Sequence, residues 1–283
     1  MMLEKYHGLG NDYLVYDCNK NDILLNEEQV RLICHRNFGV GSDGILVGPI
    51  FQDDKIGVRI LNPDGSEAEK SGNGVRIFSK YLKDAGYMKE ERFILSTLGG
   101  EVNVSYLNEA GTKLRVSMGR LSFLSDDIGV IGETREVVNE TMLFGGKDYQ
   151  CTCVSVGNPH CVIPLPEVSK DLVCEIGKYS ENAIYFPRRI NTQIVKVLDR
   201  NNIQIEIFER GAGYTLASGS SSCAAAGAVY KLGLVDNMVT VHMPGGELLI
   251  EIGKDMEVFM TGSVCHIGKV ELGEDFVAEN RMQ

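Results

Sequence analysis

Two serines stand where a glycine-containing turn meets a helical pattern. Ser71 lies in EKSGNGVRIFSKYL (69–82), and Ser218 lies in LASGSSSCAAAGAVYKLG (216–233). The first turn of a helix leaves N–H groups without intrahelical partners and carries a partial positive charge. Each junction therefore predicts a binding site for a carboxylate or phosphate, which the adjacent glycine lets approach the backbone closely. The alternative interpretation is that both serines are ordinary N-caps.

The two junctions lie about half a chain length apart. Their separation is 218 − 71 = 147 residues in a sequence of 283. Both place Ser-Gly before a helix that carries a Tyr and a Lys near its end. We interpret this as a weak internal repeat of two similar lobes, each presenting one helix N-terminus to a shared cleft; coincidence is the alternative. We expect an N-terminal lobe of residues 1–118, joined by segment 264–283, and a C-terminal lobe of residues 119–263.

Most of the remaining sequence consists of short segments that are rich in β-branched residues and bounded by Gly, Pro, Asn or Asp, a pattern typical of β-strands. Helical spacing of apolar residues covers 26–37, 74–86 and 220–233. Because no G-x-G-x-x-G motif follows a strand, this mixture predicts an α+β fold with two antiparallel-rich sheets rather than a dinucleotide-binding fold. The predicted strands are 55–61, 92–97, 101–107, 113–119, 149–157, 192–198, 203–209, 238–243, 247–252 and 256–262.

Composition argues against several partner classes. The formal net charge is −11 and the pI is about 5.0. No basic cluster interrupts this charge, so we expect no nucleic-acid partner. No apolar run approaches the roughly 18 residues of a membrane span, and the N-terminus lacks the apolar core of a secretory signal, so we expect a cytoplasmic protein with no membrane partner. The eight cysteines are scattered without a C-x-x-C pair, so we expect no metal site.

Four asparagines and one acid–base pair lie in turn-like settings. An asparagine in a turn usually has a conformational role, although its amide can also bind a ligand. Glu209 and Arg210 leave a strand into a glycine-rich loop, and such a pair can bind the ammonium and carboxylate groups of an amino acid. The alternative for this pair is a weak surface ion pair. The four asparagines are Asn11, Asn62, Asn158 and Asn191.

From residue 5 to about residue 230, the sequence resembles the diaminopimelate epimerase family. This resemblance implies two pseudo-symmetric α/β lobes with the active site in the cleft between them, no pyridoxal phosphate, no metal, and a homodimer acting on a small amino-acid substrate. It also implies two-base chemistry, in which a thiolate removes the α-proton from one face and a thiol returns a proton to the other. The six motifs that carry it, in order, are HGLGNDY, RNFGVGSDG, NPDGSEAEKSGNG, VGNPHCV, INTQ and ERGAGYTLASGSSSCA.

The resemblance assigns roles to individual residues. Ser71 and Ser218 stand at the two catalytic positions, and Asn11 and Glu209 would contact polar groups at the reacting end of the substrate. The distal end would be held by Asn62, Asn158, Asn191 and Arg210. The α-carboxylate, which gains enolate character in the reaction, would be bound by the N–H groups of Gly72, Asn73, Gly219 and Ser220.

Serine occupies both positions at which the family has cysteine. A thiol has a pKa near 8.5, whereas an alkyl hydroxyl is about as weak an acid as water, so a serine needs an activating base. We consider His160 and Glu209 the candidates for that base. Lys70, Tyr214 and the run Ser220–Ser222 also depart from the family pattern, which favours a natural variant lineage over two introduced substitutions.

Three functions remain open from the sequence. The first is a diaminopimelate epimerase that acts in lysine and cell-wall precursor synthesis and is impaired by its serines. The second is a racemase or isomerase of another amino acid or related small acid on the same fold, which the Tyr214 departure favours. The third is a catalytically silent amino-acid-binding homologue.

Overall fold

The computed structural model describes residues 1–52, 55–69 and 71–279, so Lys70 lies outside the described residues. The chain divides into two units. The first unit contains Met1–Val116 and the chain from Gly262 onward, and the second unit contains Ser117–Thr261.

The first part of the chain begins with a hairpin that positions Asn11. Gly8 pairs with Asn11 across a two-residue turn in which Leu9 and Gly10 have φ of 57° and 83°, the combination that a type I′ turn requires. Asn11 is therefore the first residue of the second strand. The elements of this part are β1 (Met2–Gly8), β2 (Asn11–Tyr16), α1 (Glu27–Cys34), β3 (Ile45–Gln52), β4 (Lys55–Leu61), β5 (Glu67–Ala68), α2 (Gly72–Asp84), β6 (Arg92–Thr97), β7 (Gly100–Tyr106) and β8 (Lys113–Arg120).

The second unit follows, and the chain then returns to the first unit. The elements of the second unit are α3 (Ser125–Ile128), β9 (Glu140–Phe144), β10 (Lys147–Ser155), β11 (Pro159–Pro164), α4 (Lys170–Ser180), β12 (Asn191–Asp199), β13 (Asn202–Glu209), β14 (Gly213–Thr215), α5 (Gly219–Lys231), β15 (Met238–Met243), β16 (Gly246–Ile252) and β17 (Glu257–Ser263). The returning elements are β18 (Cys265–Glu271), which pairs with β1, and α6 (Glu274–Glu279).

Both units use the same connections. In the first unit β2 is parallel to β3 across α1, and β4 is parallel to β6 across α2. In the second unit β11 is parallel to β12 across α4, and β13 is parallel to β15 across α5. Parallel neighbours need such long crossovers, whereas most other pairs in each unit are antiparallel hairpins. The fold is therefore α+β, built from two pseudo-symmetric α/β lobes, as expected.

Each unit has one central helix that is buried along most of its length. Helix α2 packs against β1, β2, β3 and β7, and every residue from Gly72 to Leu82 is buried. Helix α5 packs against strands β10–β13, β15 and β16. It is built mainly from Ser, Ala and Gly, which let the surrounding strands approach its backbone closely. A helix covered on all sides in this way has a fixed N-terminus.

The sequence predicts the central helices well and misses α4. The predicted helices 26–37, 74–86 and 220–233 correspond to Glu27–Cys34, Gly72–Asp84 and Gly219–Lys231. Helix α4 was not predicted, although Ser169 caps it and accepts the N–H of Leu172 at 3.3 Å. Its β-branched residues and internal glycine weaken the helical pattern.

Cysteines are packing residues in the second unit. Cys151, Cys153 and Cys161 are fully buried in its core together with Val137, Ile163 and Ile194. All eight cysteines lie in the described part of the chain, and none of them forms a disulfide. No helix of the described residues is long and apolar enough to cross a membrane.

Gly177 is predicted to be required where α4 meets β13. A Cβ at this position would lie 2.3 Å from Phe208 Cγ and 2.7 Å from Phe208 Cβ. We expect Gly177→Ala to lower the free energy of unfolding by about 1–3 kcal/mol in urea titrations, although alanine favours helix by about 1 kcal/mol. Gly268→Ala is the control, since a Cβ there meets nothing within 4 Å. Equal stability of the two variants would contradict the close contact.

Candidate active site

Ser71 caps the central helix of the first unit. Its backbone is extended, with φ −138° and ψ 119°, and its Oγ accepts the N–H of Gly74 at 3.0 Å. The N–H groups of Gly72 and Asn73 lie in the first turn of the helix. No helical carbonyl lies four residues before them, so they have no partner within the helix. The start of α2 therefore combines one hydroxyl with two backbone donors for an anion.

Tyr13 lies beside Ser71. The tyrosine hydroxyl is 3.3 Å from Ser71 Oγ, and either oxygen can be the donor. Tyr13 is the third residue of β2, and its side chain is buried. Ser71 therefore has a second ionisable hydroxyl within reach.

Asn11 and Asn73 orient each other at the same helix end. Asn73 Nδ2 donates to Asn11 Oδ1 at 3.0 Å, and Asn11 Nδ2 donates to Asp43 Oδ2 at 2.8 Å. Arg36 holds Asp43 from the other side at 2.6 Å, and the buried Arg76 donates to Asn73 Oδ1 at 2.7 Å. Because an amide nitrogen carries two N–H groups, Asn11 can offer its other one to a ligand.

Asn62 lies in the turn between β4 and β5. Its backbone N–H donates to the Ser66 carbonyl at 2.8 Å, and its Nδ2 donates to Ser66 Oγ at 3.0 Å. Asp64 accepts from the Ser66 hydroxyl at 2.6 Å. Among the described residues, no hydrogen bond joins Asn62 to Ser71 or Asn73; these contacts fix the turn, and a role of Asn62 at the distal end of the substrate stays a prediction.

Ser218 caps the central helix of the second unit in the same way. Its φ and ψ are −148° and 128°, and its Oγ accepts the N–H of Ser221 at 3.4 Å. Ser220 Oγ lies 3.4 Å from Ser218 Oγ. The backbone N–H groups of Gly219 and Ser220 occupy the first turn, where they have no intrahelical partner. This helix start therefore offers the same set of groups as that of α2.

Glu209 is the ionisable partner of Ser218. It is the last residue of β13, and its carboxyl lies close enough to Ser218 for the hydroxyl to lower its pKa. Burial raises the pKa of Glu209 above its ordinary value, and the Ser218 hydroxyl offsets part of that increase. A carboxylate with a raised pKa is a stronger base, which suits it to take a proton from Ser218.

His160 does not contact Ser218 through a hydrogen bond in the described residues. Its Nε2 lies 2.9 Å from Asn158 Oδ1, and its Nδ1 lies 3.3 Å from Gln193 Oε1. Complete burial lowers the pKa of His160 to about 3, so the imidazole is neutral at physiological pH. Asn158 then donates to Ser220 Oγ at 3.5 Å, and Gln193 donates to Ser221 Oγ at 3.1 Å. A neutral imidazole has one N–H, so it donates to only one of these two amide oxygens, while both amides in turn contact the start of α5.

Asn191 supports the loop that carries Arg210. Asn191 Oδ1 accepts the backbone N–H of Arg210 at 3.1 Å, and Asn191 Nδ2 donates to the Pro159 carbonyl at 2.9 Å. The exposed Arg210 guanidinium donates to the Arg188 carbonyl at 3.1 Å. A guanidinium carries five N–H groups, so Arg210 can bind a carboxylate with the others.

Tyr214 faces away from the Glu209 side of β13. Its hydroxyl donates to Glu206 Oε2 at 2.9 Å, and Lys170 Nζ lies 4.9 Å from its ring. Side chains alternate along a strand, so Glu206 and Glu209 point to opposite faces. Burial raises the pKa of Tyr214 to about 12. This placement beside α4 favours a packing role, and a supporting role in substrate choice stays a prediction.

A single spacing relates the two half-sites, which are the groups around Ser71 in the first unit and those around Ser218 in the second. The separation of 147 residues between Ser71 and Ser218 recurs between residues that hold matching places in the two units. The pairs are Asn11 and Asn158 (158 − 11 = 147), Tyr13 and His160 (160 − 13 = 147), Asn62 and Glu209 (209 − 62 = 147), and Asn73 and Ser220 (220 − 73 = 147).

The sequence alone missed three residues of these half-sites. Gln193 and Ser221 link His160 to α5, and Tyr13 contacts Ser71. Tyr13 had a usable signal, because adding the repeat spacing to its number gives His160. No sequence signal identifies Gln193 and Ser221, because their contact depends on how β12 packs against α5.

Together these groups suit acid–base chemistry next to a bound anion. Each unit has one hydroxyl at a helix N-terminus and one ionisable group beside it, a phenol in the first unit and a carboxyl in the second. In the described residues, no group of three or more His, Cys, Asp or Glu side chains is arranged to hold a metal ion.

Glu209 should make stability depend on pH. Because its folded pKa is above its unfolded value, its contribution is fully present below the ordinary pKa and is lost as pH rises through the folded pKa. We expect Glu209→Gln to raise Tm by roughly 2–4 °C at about pH 7.5, with a smaller gain at about pH 4. The measurement is thermal unfolding at both pH values, with the exposed Glu133→Gln as control. A gain that is larger at the acidic pH would contradict the assignment.

Solved structures share this fold at low sequence identity. A probable proline racemase from Agrobacterium radiobacter K84 superposes with a TM-score of 0.71 at 14% identity, covering 97% of this chain and 93% of that one. A PhzF-family phenazine biosynthesis protein from Bacillus anthracis gives 0.67 at 15% identity, covering 96% and 99%.

The sequence relatives are much closer. The diaminopimelate epimerase family model matches residues 3–124 and 152–267. Diaminopimelate epimerase 2 of Nostoc sp. (strain PCC 7120) is 50% identical over 279 residues, which is 98% of each chain. Diaminopimelate epimerase of Desulfitobacterium hafniense is 37% identical over 282 residues, covering 97% of this chain and 99% of the relative. The chain therefore belongs to the diaminopimelate epimerase family of isomerases.

Proposed function

We propose that this protein interconverts LL- and meso-diaminopimelate by two-base transfer of the α-proton, with Ser71 and Ser218 as the two proton-transfer groups. One observation carries the proposal: each unit caps its buried central helix with a serine of nearly the same backbone geometry. A two-base reaction needs one such group for each face of the α-carbon. The names of the relatives support the identity of the substrate.

The helix N-termini bind the substrate α-carboxylate in this proposal. The donors are the backbone N–H groups of Gly72, Asn73, Gly219 and Ser220, which lie in the first turns of α2 and α5. When the α-proton leaves, negative charge moves into the carboxylate. Fixed N–H groups and the positive ends of two helices stabilise that charge, and this stabilisation lowers the barrier.

Polar side chains recognise the rest of the substrate in this proposal. Asn11 and Glu209 contact groups at the reacting end, while Asn62, Asn158, Asn191 and Arg210 hold the distal end. Support comes from Asn191, which fixes the backbone of Arg210, and from Asn158, which lies next to Ser220.

Serine makes the proton transfer harder than cysteine would. In one direction Ser218 Oγ takes the α-proton as the hydroxyl proton moves to Glu209, and Ser71 gives its proton to the opposite face. The electron pair of the broken C–H bond forms the new C–H bond. Because the hydroxyl is a weak acid, the reaction depends on the group beside each serine.

The family and the chemistry of the cysteines support a proposal for the cellular setting. We place the protein in the cytoplasm, in lysine and cell-wall precursor synthesis, because eight cysteines without a disulfide suit a reducing compartment. Homodimer formation stays a prediction that rests on the family resemblance.

Restoring both thiols is the direct test. We expect Ser71→Cys/Ser218→Cys to raise kcat/KM for diaminopimelate epimerisation by roughly 10²–10⁴-fold, because a thiol pKa lies much closer to neutrality. The measurement is loss of the α-proton signal of LL-diaminopimelate in D₂O by NMR. Ser169→Cys is the matched control, since Ser169 caps α4 with the same type of hydrogen bond.

The outcomes separate the candidate functions. Exchange of diaminopimelate by both forms, faster with the thiols, supports the proposal. Exchange of another L-amino acid by the unaltered protein would instead support a racemase of different specificity. Absence of exchange by either form would contradict the proposal and favour a binding protein.

Arg210 should act on binding rather than on proton transfer. We expect Arg210→Lys to raise KM roughly 10-fold or more with a smaller change in kcat, because lysine cannot form a two-point contact with a carboxylate. Steady-state kinetics measures both constants. Arg189→Lys, in the loop between α4 and β12, is the control, since Arg189 forms an ion pair with Glu181 at 3.3 Å. A loss confined to kcat would argue against distal binding.

A further inference from the structure

Tyr13 is held firmly in place at the start of α2. It is 7% exposed, and its ring packs over Gly44. A Cβ on Gly44 would lie 2.7 Å from Tyr13 Cε1 and 2.5 Å from the Leu61 carbonyl oxygen. The glycine therefore makes the space that the ring occupies.

Strand geometry directs Tyr13 to Ser71. Residues two apart on a strand share a face, so Asn11 and Tyr13 lie on the same side of β2. Both side chains reach the first turn of α2, where Asn11 meets Asn73 at 3.0 Å and the Tyr13 hydroxyl meets Ser71 Oγ at 3.3 Å. Polar contacts of this kind are often long without a ligand and shorten when substrate binds.

The repeat gives Tyr13 a counterpart in the second unit. His160 lies 147 residues later, in G-N-P-H where the first unit has G-N-D-Y. Both residues follow an asparagine that contacts the second residue of the central helix, Asn73 in α2 or Ser220 in α5. The repeated fold therefore places an aromatic side chain with an exchangeable proton at the same position in each unit. In the first unit this side chain contacts Ser71.

The acidity of a phenol suits the need of Ser71. A serine hydroxyl alone is about as weak an acid as water, with a pKa far above neutrality. A phenol has an ordinary pKa of about 10, which is much closer to the value of about 8.5 for the thiol that serine replaces.

We propose that Tyr13 is a positioning residue that acts through Ser71, its hydroxyl supplying and receiving the proton that Ser71 exchanges with the substrate. This inference rests on the proposed function. When Ser71 donates, its O–H bond breaks as the electron pair at the α-carbon forms the new C–H bond. The Tyr13 proton then moves to Ser71 Oγ, which leaves a phenolate. In the reverse direction the phenolate accepts the Ser71 proton as Ser71 Oγ takes the α-proton, and the C–H electron pair stays on the substrate.

The test compares removal of the phenol in two backgrounds. We expect Tyr13→Phe to lower kcat/KM for LL-diaminopimelate epimerisation roughly 30-fold or more in the native background, but less than about 3-fold in the Ser71→Cys background, because a thiol does not need the phenol. The readout is α-proton exchange in D₂O together with stereoisomer conversion.

Tyr16→Phe is the matched control. Tyr16 is a buried tyrosine of the same strand whose hydroxyl donates to the Ile23 carbonyl. We expect it to change kcat/KM by less than about 2-fold in either background, since its hydroxyl has no part in the proton transfer. Activity of the Tyr13→Phe/Ser71→Cys protein also shows that the Tyr13 change leaves the fold intact.

Three results would overturn the relay. Equal losses in both backgrounds would show a structural role, and no loss in the native background would show that Ser71 works without Tyr13. Exchange by Ser71→Cys/Ser218→Cys but not by the native protein would overturn both the relay and the proposed use of the two serines, and would show a substrate site that serine disables. Absence of exchange by every form contradicts the proposed function itself.

Discussion

The unsatisfied N–H groups at the start of a buried helix are the constraint on which both half-sites depend. Strands cover α2 and α5 along their length, so the first-turn donors must be met by a polar cap or by a ligand. Ser71 and Ser218 satisfy the N–H groups of Gly74 and Ser221, which leaves the two preceding donors for a carboxylate. The residue that stabilises the helix is thus also the residue placed next to the proposed anion site.

Local signals explain what the sequence could predict. The serine caps and the glycines after α2 and α5 are short-range features, and the chemistry at the two helix starts could be argued from them. The partners of those serines depend on long-range packing. Tyr13 comes from a hairpin about sixty residues before Ser71, and Gln193 comes from a strand that packs on α5. Helix α4 was missed because its apolar spacing is interrupted by Gly177.

The two units repeat the same connections, but the side chains at their half-sites differ in chemistry. The crossovers place Asn62 and Glu209 at matching strand ends, yet one is a neutral amide held in a turn by Ser66 and the other a half-buried carboxyl beside Ser218. Burying that carboxyl destabilises its charged form, which raises its pKa. Holding Glu209 next to Ser218 therefore lowers the stability of the second unit at neutral pH.

In the proposed reaction, the different groups beside Ser71 and Ser218 make the two faces of the substrate α-carbon chemically unequal. A carboxylate near neutrality is set to accept a proton, whereas a phenol is set to donate one. Two thiols with a pKa near 8.5 can hold either state on either side, so the local partners matter less. In the proposed mechanism, with serine at both positions, the direction of proton flow depends on Glu209 and Tyr13. Carboxylate binding by the helix starts serves both directions equally, because the charge it stabilises forms whichever face loses the proton.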